Sequence, residues 1–119
     1  MLQLRASTPD SSRRKFSQCE RRLAPLKSAT SYLATHDANV LFGTDTLCAP
    51  LYTNPPGLNG WLEMHRLVDA GVTPAQIFRA ATLANAQALG LTREIGTVQA
   101  GKRANLLLLR EIPTQSIQA

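Results

Sequence analysis

Apolar residues recur at helical spacing from Leu23 onward: Leu23, Leu26, Thr30 and Leu33 fall on one face, and Pro25 is tolerable in a first turn. The pattern predicts a helix that ends near His36. Asp37-Ala38-Asn39 then turns into Val40-Leu41-Phe42-Gly43, a short apolar run that reads as a strand buried on both faces, as in a parallel sheet. Pro50 to Gly60 carries too many breakers for regular structure and predicts a long loop. Trp61, Leu62, Met64, Leu67 and Val68 supply the next helical face, with Asn59 as its cap and Gly71 where such a helix stops.

The third helix, expected over 74–89, has the clearest punctuation. Thr73 stands at the N-cap, Pro74 at the first helical position, and Gln76 completes a Thr-x-x-Gln capping box. Val72 and Ile77 are spaced for a hydrophobic staple, and Ile77, Ala80, Ala81, Ala84 and Ala88 offer a small-residue face for close packing. Gly90 supplies the left-handed position beyond the helix. Gly96-Thr97-Val98, the turn Gln99-Ala100-Gly101-Lys102 and the run Ala104 to Leu109 then read as a β-hairpin.

A strand buried on both faces needs neighbours to pair its backbone groups, and only one such strand precedes the hairpin. A two-stranded hairpin alone is marginal in water. The expectation is therefore the end of a larger domain, with residues 1–21 a poorly matched, flexible start, 22–92 the main unit, and 93–119 the opening of an incomplete second segment.

Composition narrows the class. The chain has 119 residues, 44% hydrophobic and 18% charged, which suits a segment that packs a core. The first 37 residues hold seven basic residues against three acids, so most of the net charge of +5 lies there. Only one aromatic residue, Phe16, stands among those charges, so a solvated helix face is preferred to a nucleic-acid surface built on Arg13, Arg14, Lys15, Arg21 and Arg22. Cys19 and Cys48 match no metal-knuckle or disulfide spacing and read as reduced thiols. No apolar run approaches a membrane span and the start lacks a signal-peptide stretch, so a cytoplasmic protein without membrane partners is expected.

The candidate for chemistry is Asp45, in Phe42-Gly43-Thr44-Asp45-Thr46. A carboxylate just beyond the C-terminal end of a parallel strand faces the ligand-binding mouth of an α/β fold, although a capping aspartate is the commoner use of such a position. Trp61 is open between a place near a substrate mouth and packing for its own helix. His36 and His65 read as surface or packing histidines, and Cys48 as an inert thiol.

Taken together, Val40 to Thr46, Pro56-Gly57-Leu58-Asn59-Gly60, the stretch from Gly71 to Ala86, and Ile95-Gly96-Thr97-Val98-Gln99-Ala100-Gly101-Lys102-Arg103-Ala104-Asn105-Leu106 resemble the C-terminal part of the metal-dependent amidohydrolase superfamily, nearest its imidazolonepropionase-like branch. The resemblance covers about residues 22–112. It implies an α/β fold: a C-terminal fragment of a (β/α)8 TIM barrel, comprising the last strand and the helices after it, plus a β-hairpin of the accessory β-sandwich. It also implies that Asp45 is both a metal ligand and the catalytic proton shuttle. The cofactor implied is a divalent metal, zinc by preference, which lowers the pKa of bound water to about 7.

The other ligands of that family, a His-x-His pair, a carboxylate or lysine and later histidines, are absent here, and Asn105 stands where the family usually has Asp. One carboxylate does not make a zinc centre, so the chain alone is expected to be inactive. The complete enzyme is expected to act on a small-molecule substrate with a C–N bond. The rival reading is a non-catalytic interaction module, self-associating through exposed barrel faces.

Overall fold

The structure is a computed structural model that describes residues 11–44 and 57–118. Its order is α1 (Ser11–Thr35), α2 (Leu58–Asp69), α3 (Pro74–Arg79), a π-helical turn (Ala80–Ala84) and α4 (Asn85–Ala88). Helix α1 begins at Ser11 rather than near Leu23, and Pro25 lies inside it, although proline there removes one i to i−4 bond. Its inward stripe also differs from the expected one. Ala34 is buried and Leu23, Thr30 and Ser31 are half-buried, whereas Leu26 and Leu33 face solvent.

Helix α2 packs against both α1 and α3. Its N-cap is Gly57, which makes no side-chain cap bond, and Asn59 lies within the first turn instead of capping it. The capping box at the start of α3 forms as the spacing predicts. The Gln76 backbone N–H donates to Thr73 Oγ1 at 3.3 Å, and the Thr73 backbone N–H donates to Gln76 Oε1 at 3.0 Å. Gln76 has a second use: its Nε2 donates to the Ala34 carbonyl at 2.8 Å, tying α3 to the end of α1.

The expected single helix over 74–89 is interrupted by the π turn, which inserts one residue into the ladder. Ala80 and Ala84 of that turn and Ala86 of α4 are buried, confirming close packing through small side chains, while Ala88 is exposed. Ala34, Val72 and Ile77 form the core cluster, with Met64, Leu67 and Ile117 packed against it. Val72 and Ile77 are thus both in the core, as the staple requires.

The α/β expectation is corrected here. Among the described residues there is no strand and no sheet, so neither the barrel fragment nor the accessory β-hairpin forms. Val40 to Gly43 runs as irregular chain. The tight turn at 99–102 exists, with the Lys102 N–H donating to the Gln99 carbonyl at 3.3 Å, but its flanks do not pair as a ladder. Arg103 N–H instead donates to the Glu94 carbonyl at 2.9 Å, beside an exposed Arg103–Glu94 ion pair at 2.6 Å. The physical reason is that an apolar run becomes a strand only when another backbone accepts its hydrogen bonds. No such neighbour lies among the described residues, and Leu106, Leu107 and Leu108 stand in solvent.

Candidate functional site

Phe42, Gly43 and Thr44 lead directly into Asp45, which lies outside the described residues, as does Cys48. What holds this approach is a pair of asparagines from two helices. Asn85 Nδ2 donates to the Phe42 carbonyl at 2.8 Å, while the Phe42 N–H donates to Asn85 Oδ1 at 3.1 Å. A carboxamide carries one acceptor and a donor side by side, as a peptide unit does, so the Asn85 side chain serves Phe42 as a strand neighbour would. Asn59 Nδ2 donates to the Thr44 carbonyl at 3.1 Å, two residues further along.

The local structure explains why Asn85 is available. Asparagine is a weak helix-interior residue because its amide competes for backbone groups. Here it follows the π turn directly. An added residue rotates everything after it by about 100° relative to an uninterrupted α-helix. Ala84 and Ala86 still bury their methyl groups on either side of it, and the Asn85 amide meets the Phe42 backbone.

Neither histidine takes part. The His36 ring stacks on Tyr32 with centroids 4.0 Å apart, and its Nδ1 lies 2.8 Å from the Tyr32 carbonyl oxygen. His65 meets Trp61 edge-on at 4.1 Å, and its Nε2 is buried without a hydrogen-bond partner. Trp61 itself is 48% exposed, so it covers His65 more than it fills a core.

A cavity of about 520 Å³ opens between the chain at 37–40 and the helical run 74–88, lined by Val40, Gln76, Arg79, Ala80, Ala84 and their neighbours. A second, of about 410 Å³, lies on the other side of that run, where Asn85, Ala86, Gly96, Arg103, Asn105 and Leu106 meet. Asn105 is thus an exposed cavity-wall residue.

Among the described residues no group of three or more His, Cys, Asp or Glu gathers to hold a metal ion. A catalytic zinc takes about three protein ligands plus water. The orphaned His65 nitrogen is a single donor, and the described residues do not fit such a centre. No helix among them is long and apolar enough to cross a membrane.

Sequence reasoning placed the chemistry at Asp45 and overlooked the clasp ahead of it. The available signal was Asn85 itself, a polar residue set between Ala84 and Ala86. In comparisons with known proteins, residues 20–117 match the model of a family described as the Amidohydrolase family. No curated protein and no solved structure matches the chain.

Proposed function

The chain belongs to the amidohydrolase family, and on that premise we propose that it is the C-terminal portion of a hydrolase of the imidazolonepropionase-like branch, cleaving C–N bonds of cyclic amides, dipeptides or related small molecules. Asp45 is its reacting carboxylate. It takes a proton from the water that attacks the carbonyl carbon and returns it to the nitrogen as the C–N bond breaks. Asp45 is also one ligand of a divalent ion, zinc by preference, whose remaining ligands are supplied by the complete enzyme. Lacking those ligands, the chain alone is inactive.

The observation that carries this reading is the clasp. Side-chain amides from α2 and α4 hold both Phe42 and Thr44, the residues that run into Asp45, within the span that matches the family. Fixing the approach to a reacting group is what positional catalysis requires.

The test is hydrolysis of a panel of cyclic amides and dipeptides by the native assembly purified from its own cells. Asp45→Asn is expected to lower kcat by about 10² to 10⁴, the range typical of a general acid–base group. Turnover within twofold of the parent would contradict the assignment. The isolated chain is expected to turn over none of the panel.

A second reading has its own observation. Leu107 and Leu108 are 88% and 102% exposed, and Val98 is 82% exposed. Apolar side chains this exposed favour association. A non-catalytic interaction module, bound to a partner chain or to itself, would keep this association and be indifferent to Asp45→Asn.

A further inference from the structure

We infer that the cavity between Asp37 and Arg79 binds a small zwitterion of the free amino-acid class, with its ammonium group on the Asp37 carboxylate and its own carboxylate on the Arg79 guanidinium. None of the residues involved takes part in the chemistry proposed for Asp45.

The cavity holds about 520 Å³, within the range of about 300–1,000 Å³ usual for small-molecule sites. Asp37 lines it from the turn after α1, and Arg79 from the end of α3. Although both line one cavity they do not pair with each other, and among the described residues neither side chain has a hydrogen-bond or ion-pair partner. The carboxamides of Asn39 and Gln87, which line the same cavity, are likewise without partners among the described residues. Buried Val72, Ala80 and Ala84 supply the apolar part of the lining.

The backbone at Asp37 gives a separate reason to look for a cation there. Among the described residues it is the one non-glycine with positive φ, at +52°. The Ala38 N–H donates to the Leu33 carbonyl at 3.1 Å, the six-to-one bond of a left-handed helix stop. Glycine or asparagine would hold this stop without a charge. A carboxylate there sits on the negative end of the α1 dipole, and no basic residue in the last turn offsets it. The helix gains nothing from that charge, whereas a cation in the cavity meets the carboxylate and the negative end of the dipole together. Arg79 presents a planar fork of donors that suits a carboxylate. A ligand with one charge would leave the other wall unanswered, so the cavity selects a molecule with both, joined by a short apolar body.

The experiment is equilibrium dialysis of labelled L-leucine against the native assembly, with isoamylamine and isocaproate as the same skeleton lacking one charge or the other. L-Leucine is expected to bind saturably, one molecule per chain, with Kd of about 1 mM or tighter. Each single-charge analogue should bind at least about tenfold more weakly. Asp37→Asn and Arg79→Gln should each weaken L-leucine at least about tenfold, while Arg93→Gln, exposed and outside the cavity, should stay within about twofold. In Asp37→Asn the Ala38 amide should exchange no faster than in the parent, because asparagine keeps the left-handed stop and removes the charge from the dipole. Loss of binding with the helix end intact separates a ligand role from a structural one.

No saturable uptake of L-leucine by about 10 mM would overturn the inference. So would binding of either single-charge analogue as tight as that of L-leucine, or L-leucine binding that survives Asp37→Asn. If Arg79→Gln quickens exchange at the Ile77 amide, which donates to the Thr73 carbonyl at 3.0 Å, α3 has been disturbed and Asp37→Asn decides. If Asp37→Asn quickens exchange at Ala38, the comparison of L-leucine with its two analogues on the parent decides, since it needs no variant.

Discussion

Ala86 leaves no room for a side chain at position 96. A Cβ on Gly96 would lie 2.6 Å from the Ala86 Cβ, and Gly96 has φ +94°, a conformation that L side chains rarely adopt. Ala86 is 1% exposed and has nowhere to retreat. Gly96→Ala should therefore loosen the packing of 91–96 on α4 by about 1–3 kcal/mol. The Leu91 amide, which donates to the Ala86 carbonyl at 2.8 Å, reports on this directly. Its hydrogen exchange should quicken about tenfold or more. Gly101 has a similar φ of +86° but open space around it, so Gly101→Ala should leave Leu91 within about twofold. Equal effects of the two substitutions would show that the close approach is unimportant. At this scale the sequence was legible where partners are near neighbours, as with Thr73 and Gln76. It was silent where they are distant: nothing local to Asn85 announces that it binds Phe42.

Helix α3 is a case in which local chemistry decides an element. Thr73 accepts from the Gln76 N–H, Gln76 answers the Thr73 N–H, and Pro74 occupies a position where a missing N–H costs nothing. Thr73→Ala removes one arm and should cost about 1 kcal/mol of local stability. The Gln76 amide should then exchange about fivefold faster, with α1 unaffected, and an unchanged rate would mean that packing of Ile77 alone holds the first turn. The helices were readable because each carries its own hydrogen bonds and stop signals. The strands were not, because Val40 to Gly43 and Leu106 to Leu109 show only that the chain is apolar. Whether apolar chain becomes strand depends on a second backbone, and here Phe42 finds a side chain instead. The start of α1 escaped the periodicity for a related reason: the residues before Leu23 are mostly polar, and Pro25 suggests a beginning although it lies within the helix.

Across the molecule the buried residues are few and small: Ala34, Ala70, Val72, Ile77, Ala80, Ala84 and Ala86. Large apolar side chains lie outside, with Leu107 and Leu108 almost wholly in solvent. Burying a Leu side chain contributes about 1.5–3 kcal/mol, a stabilisation that Leu107 and Leu108 forgo here. The same deficit appears in the chemistry. The family generally uses divalent metals, and the described residues gather no metal-binding group. On the proposed reading, both are met by polypeptide outside this sequence. The most direct test is the native mass of the species captured from its own cell extract with an antibody to Leu91 to Arg110, followed by identification of what accompanies this chain. The account predicts a mass several times 12.9 kDa, with histidine-bearing polypeptide beyond this sequence. A native mass of 12.9 kDa would contradict the account.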